Sequence, residues 1–202
     1  MIYIGDVHGK FNEYSSLLFH MCDKGHVKED SIQVGDMGVG FPQGHGRLSK
    51  PKCTNERHRF IRGNHDNPAM CKTIDGFIPD GTIQNGHMFV GGADSIDKAY
   101  RVHGVNWWPD EECSIVELSE LRLRYTIEEP RIMVTHDCPQ FVAEKLFKIP
   151  NYDTSRTRQA FNSMFEAYQP EFWIFGHWHQ SKRFKADGTQ FICLGELETC
   201  QI

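Results

Sequence analysis

The segment FIRGNHD, Phe60–Asp66, concentrates the residues able to do chemistry. An apolar lead-in through Ile61 reads as a short strand that stops at Gly63. Asn64, His65 and Asp66 follow, all competent to hold a metal or move a proton. A strand ending this way lifts reactive side chains onto the carboxyl edge of a sheet, where open α/β sheets bind ligands. Alone, a Gly-Asn pair after a strand reads as a turn. The pattern recurs, however. Asp6 and His8 follow the strand Ile2–Ile4, Asp36 follows Ser31–Val34, His136 follows Arg131–Val134, and His177 and His179 follow Glu171–Phe175. The Asp6/His8 and His177/His179 pairs are each two residues apart, so in extended backbone each pair projects from one face.

Any one of these residues has a bland reading: a helix cap, a turn, a satisfied core histidine. Five strand ends closing in ligand residues point instead to one site. Two Asp, one Asn and four His suit Mn²⁺, Fe or Zn²⁺ better than an all-oxygen Mg²⁺ or Ca²⁺ cage. Seven ligands exceed the needs of one ion. A central carboxylate can bridge two ions about 3.5–4 Å apart, the spacing used for hydrolysis at phosphorus, and Asp36 is placed to be that bridge. Such a pair generates hydroxide near neutral pH and neutralises the phosphoryl oxygens during in-line attack. His65, the remaining imidazole beside a ligand, is the candidate to stabilise or protonate the leaving oxygen.

The elements that must position these residues alternate strand, polar loop and helix. Phe11, Tyr14, Leu17, Leu18 and Met21 have helical spacing over Phe11–Lys24, with Gly25 as the stop. Met88–Val90 reads as a strand, and Ser114–Arg124, Pro139–Phe147 and Thr154–Tyr168 read as helices. Asp187-Gly188 between Arg183–Lys185 and Gln190–Leu194 is a hairpin signal. Gly38–Lys52, rich in Gly and Pro and carrying His45 and Arg47, reads as a loop. Ala93–Glu112, with the pair Trp107-Trp108, is irregular. No repeat or domain boundary is evident, so one domain over 1–202 is expected.

The 202 residues are 39% hydrophobic, enough for a compact core, and carry a net charge of −5 with both signs spread along the chain. That excludes a polybasic surface for long DNA or RNA and leaves small nucleotides and phosphoproteins open as substrates. No basic n-region with an apolar h-region opens the sequence, and no apolar run approaches a membrane span. Seven cysteines without a CxxC pair fit free thiols in a reducing cytoplasm.

GDVHG (5–9), GDMG (35–38), GNHD (63–66), THD (135–137) and GHWH (176–179) occur in the order found in the calcineurin-like metallophosphoesterases, and the chain resembles that superfamily over nearly its whole length. The resemblance implies an α/β fold, a four-layer α/β/β/α sandwich with two mixed central β-sheets. It implies a two-metal site in which Asp6, His8, Asp36 and His179 hold one ion and Asp36, Asn64, His136 and His177 the other. Mn²⁺ ranks first as the metal, with Fe, Zn²⁺, Ni²⁺ and Mg²⁺ as alternatives. His65 takes the family's catalytic imidazole role, with Asp36 and Asn64 completing the reactive set.

One departure bears on substrate. Phosphoprotein phosphatases of this superfamily carry an Asp-Arg pair where this chain has Val39 and Gly40. A small phosphomonoester or phosphodiester therefore ranks above a phosphoprotein, and both rank above a non-catalytic metal-bound scaffold. Arg101, with Asn64, is the expected substrate contact, Arg47 and Arg62 being alternatives. Trp107 and Trp108 either stack on a nucleobase or, more commonly for such a pair, pack in the fold.

Overall fold

The computed structural model describes residues 1–23, 30–43, 47–48, 50–149 and 155–202. The expected helix stop at Gly25, His45 and the helix start at Thr154 lie outside the described residues, as does the side chain of Arg47.

In chain order the strands are β1 (Ile2–Ile4), β2 (Ser31–Gln33), β3 (Pro42–Gln43), β4 (Arg47–Leu48), β5 (His58–Phe60), β6 (Thr82–Gln84), β7 (His87–Val90), β8 (Ile132–Thr135), β9 (Phe172–Phe175), β10 (Lys182–Ala186), β11 (Thr189–Cys193) and β12 (Thr199–Gln201). The helices are α1 (Phe11–Asp23), α2 (Pro68–Cys71), α3 (Ile115–Glu128), α4 (Gln140–Phe147) and α5 (Arg156–Ala167). One sheet has the order β12-β1-β2-β5 and the other β10-β11-β9-β8-β7-β6. In the first, β1, β2 and β5 are parallel and β12 runs antiparallel to β1. In the second, β11, β9, β8 and β7 are parallel, and β10 and β6 are antiparallel edges. Both sheets are mixed.

The period of two along each strand sorts side chains into layers. Tyr3, Ile32, Phe89, Val134, Ile174 and Ile192 fill the space between the sheets. Their neighbours Ile2 and Ile4 face outward against Tyr14 and Leu18 of α1 and Cys71 of α2. Met88, Val90, Met133, Trp173 and Phe191 face the other way, against Leu121 of α3, Val142 of α4 and Phe161 of α5. The result is the four-layer α/β/β/α sandwich. Local chemistry sets the element ends. Ser114 and Glu117 close a reciprocal capping box on α3. Asp187 and Gly188 both take positive φ (45° and 88°), as a two-residue hairpin turn between β10 and β11 requires.

Three expectations change. Strand β5 ends at Phe60, so Ile61 and Arg62 lie beyond it. The Gly38–Lys52 loop contains the β3–β4 pair. The edge strands β6 and β12 had no strong apolar alternation to announce them; they form because β7 and β1 offer open edges.

Candidate metal centre

All seven expected ligands leave the carboxyl ends of parallel strands: Asp6 and His8 from β1, Asp36 from β2, Asn64 from β5, His136 from β8, and His177 and His179 from β9. Because β1, β2 and β5 belong to one sheet and β8 and β9 to the other, the site sits where the two carboxyl edges meet. Sharp turns make the convergence local. His8, Asp36, His177 and His179 have φ of 48°, 57°, 67° and 51°, a region non-glycine residues rarely occupy. Such backbone persists where surrounding structure over-determines it, and it clusters at functional sites. At Gly63 a Cβ would lie 2.0 Å from Asp36 Oδ1, and at Gly176 it would lie 2.2 Å from Asp6 Oδ1. These glycines let two carboxylates approach the backbone of neighbouring loops.

Two clusters form. In Asp6, His8, Asp36 and His179, one ligand atom from each lies within 4.8 Å of the others, and the same holds for Asp36, His136 and His177. His179 Nε2 is 3.2 Å from Asp6 Oδ2. His8 Nε2 is 2.8 Å from His179 Nε2 and 3.8 Å from Asp36 Oδ2. On the other side Asp36 Oδ1 is 3.2 Å from His136 Nε2. Asn64 Oδ1 is 3.1 Å from His136 Nε2 and 3.0 Å from His177 Nδ1. The two oxygens of Asp36 thus face different clusters, and the His65 backbone N–H fixes the carboxylate by donating to Oδ1 at 2.7 Å.

The donor set fits divalent cations. His136 Nδ1 is 2.9 Å from the Val34 carbonyl, which can only accept, so Nδ1 carries the proton. Its Nε2 then faces two acceptors, Asp36 Oδ1 and Asn64 Oδ1. That arrangement is favourable only with a proton on Nε2 or a cation shared among the three atoms. Electrostatics point the same way. Burial opposes charge on His136, yet Asp36 and Asp6 push its pKa up to about 10. Burial likewise opposes ionisation of Asp36, yet His136, His65 and His8 hold its carboxyl well below the usual range. The pocket is built to keep positive charge beside Asp36. His177, by contrast, is pushed down to about 3 by burial and by His136, so it is a neutral imidazole. The hydrogen bond from His179 to Asp6 raises the His179 pKa.

The sequence model of the calcineurin-like phosphoesterase family matches residues 2–181. The chain belongs to that family. Among solved structures, its fold is similar to GAP50, the anchor in the inner membrane complex of Plasmodium. The TM-score is 0.53 at 8% identity, covering 96% of this chain and 71% of that one, so the likeness is one of fold. No curated protein sequence matches the chain.

In this family member the expected substrate contacts separate. Arg101 reaches the site: its Nη2 is 2.7 Å from His65 Nε2, and Asp97 holds its Nε at 2.7 Å. Since a guanidinium only donates, His65 Nε2 accepts, and His65 is neutral with its proton on Nδ1. Burial lowers the His65 pKa and Arg101 lowers it further, although Asp36 opposes both. Arg62 is not in the site. It is buried and bonds to Asp80 (Nε, 2.8 Å), to the carbonyls of Asp110 and Glu111, and to Cys113 Sγ. Trp108 is buried edge-on to Phe41, which stacks on His65 at 5.1 Å. Trp108 is therefore packing, and its ring is spent on positioning the imidazole. Val39, where a phosphatase Asp would stand, lies in the core beneath α1.

Two residues have roles that sequence reasoning did not assign. Asp66 accepts backbone N–H groups from Met37, Gly38, Val39 and Gly63, tying the Asp36 and Asn64 loops together. Its position in GNHD was the available signal. Asp137 accepts from Trp178 Nε1 at 3.0 Å, tying the His136 loop to the His177–His179 loop. Over the clusters lies a cleft of about 840 Å³ walled by residues 94–98, Arg101, Ile149 and Trp178. No described helix is long and apolar enough to cross a membrane.

Proposed function

We propose that the chain is a two-metal phosphoesterase acting on small phosphomonoesters or phosphodiesters, a nucleotide among them. The observation that carries this reading is the Asp36 carboxylate, with one oxygen facing each His/Asp cluster. On this reading Asp6, His8, Asp36 and His179 hold one ion, and Asp36, Asn64, His136 and His177 the other. When bound, two divalent cations supply a hydroxide nucleophile at neutral pH and offset charge on the phosphoryl oxygens.

The chain's own groups do the rest. Arg101, anchored by Asp97, presents its guanidinium at the cleft and binds phosphoryl oxygens. Moving onto phosphate takes Arg101 off His65 Nε2, which frees that nitrogen to take a proton from solvent water and deliver it to the leaving oxygen. Phe41 keeps the imidazole in plane. The cleft volume falls in the range of small-molecule sites. That volume and the Val39-Gly40 sequence support a small ester over a phosphoprotein.

The test is a panel of an aryl phosphodiester, an aryl phosphomonoester and a phosphopeptide. It is run on chelator-treated protein reconstituted with Mn²⁺, Zn²⁺, Mg²⁺, Ni²⁺ or Fe²⁺. Turnover of an aryl ester that depends on added metal is the expected result, with Mn²⁺ the best activator. Fast hydrolysis of the phosphopeptide alone overturns the substrate assignment, and no turnover with any metal overturns the activity.

A further inference from the structure

An amide can present either its oxygen or its NH₂ to a metal, and only the oxygen is a ligand. What decides the matter at Asn64 lies outside the clusters. Asn64 Nδ2 donates to Ser95 Oγ at 3.0 Å, and Ser95 Oγ donates to Glu111 Oε2 at 2.7 Å. The other carboxylate oxygen, Glu111 Oε1, accepts the Ser95 backbone N–H at 2.8 Å. All three residues are buried. Bonds from Arg62 to the carbonyls of Asp110 and Glu111 fix Glu111 to the chain just before Asn64. The Asn64 loop and its remote carboxylate are therefore one frame.

We infer that Glu111 and Ser95 are positioning residues that set the direction of the Asn64 amide, so that its oxygen faces His136 and His177. The logic is one of donors and acceptors. A carboxylate accepts on both oxygens, which makes the Ser95 hydroxyl donate toward Glu111. The Ser95 lone pairs then face Asn64 and accept only from its NH₂. The oxygen is left to point into the cluster. The irregular 93–112 segment thus serves the second ion through Ser95 and Glu111 and the cleft through Arg101. Partners of this kind, one shell out from a ligand, typically change metal affinity or activity by about 10- to 100-fold when altered. The inference rests on the proposed metal site.

Glu111→Gln tests it with almost no change of shape. The Ser95 backbone N–H keeps the carbonyl oxygen of the substituted side chain in place, so the new NH₂ group faces Ser95 Oγ. The Ser95 hydroxyl then has no acceptor at position 111, and turning the Asn64 oxygen toward it restores one, which favours the Asn64 NH₂ facing the imidazoles. Mn²⁺ binding to the chelator-treated full chain is measured by calorimetry in two backgrounds. His179→Ala cripples the first cluster and reports the second, and His177→Ala does the reverse. Glu111→Gln is expected to weaken Mn²⁺ binding by about 10- to 100-fold in the His179→Ala background and by less than about threefold in the other. Equal loss in both backgrounds, or loss in neither, overturns the relay. Ser95→Ala, read the same way, replaces Glu111→Gln if that variant does not fold. A parent chain that binds fewer than two ions overturns the two-metal reading itself, and with it the purpose of the relay.

Discussion

Replacing Gly63 with Ala adds one methyl group at the most crowded point of the site. The new Cβ would lie 2.0 Å from Asp36 Oδ1 and 2.3 Å from the Asp36 backbone nitrogen. Reaching ordinary contact requires the carboxylate to recede by about 1.4 Å. Neither atom is the free end of a flexible chain, because Oδ1 is fixed by the His65 N–H and the backbone by the turn at positive φ. Overpacking of this kind costs about 1–3 kcal/mol of stability. The larger effect falls on the bridge: a displacement near 1 Å costs about 10²-fold in turnover, since both clusters use Asp36. Urea unfolding, Mn²⁺ calorimetry and hydrolysis of an aryl phosphodiester measure the three consequences. Gly188→Ala is the control. It also strains the backbone, at φ 88°, but meets nothing within 4 Å. It should lower stability by about 1–2 kcal/mol and leave metal binding unchanged. Wild-type metal binding and turnover in Gly63→Ala would refute the close approach on which the bridge depends.

His65→Ala should slow turnover by about 10²-fold or more while two ions still bind, because the hydrogen bond from His65 to Asp36 comes from its backbone N–H and its ring only packs edge-on against His8; loss of an ion on calorimetry would contradict this. Arg62→Met should destabilise the chain by about 3–5 kcal/mol on urea unfolding, since it strands Asp80 and two carbonyls; a loss under about 1 kcal/mol would contradict the clamp. Burial pushes the thiols of Cys71, Cys113, Cys138 and Cys193 up in pKa. An aromatic disulfide reagent at neutral pH should therefore label the half-buried Cys53 and Cys200 in the native protein and these four only after denaturation, as peptide mapping would show.

The candidate ligand residues were legible because each lies within four residues of the end of a parallel strand. Their convergence was legible only through the joint pattern and the resemblance, since His8, Asp36, His177 and His179 turn inward through left-handed backbone that spacing does not reveal. Capped or turned elements such as α3 and the β10–β11 hairpin carried their signals locally. Edge strand β12 did not, because its partner β1 lies at the other end of the chain; β6 is short and polar, and its signal was the Asn85-Gly86 turn that folds it onto β7. Arg62 illustrates the limit for single residues. A cation two positions before a ligand suggested phosphate, but its partners lie 18 and 48 residues or more downstream and hold it in the core. Asn64, Ser95 and Glu111 are likewise joined only by the fold.

The bridging role of Asp36 is the claim on which the rest depends. The most direct measurement is an anomalous difference map from crystals of the Mn²⁺-loaded protein. Two peaks are predicted, one on each side of the Asp36 carboxylate, about 3.5–4 Å apart. A single peak, or a pair that does not share Asp36, would contradict the account.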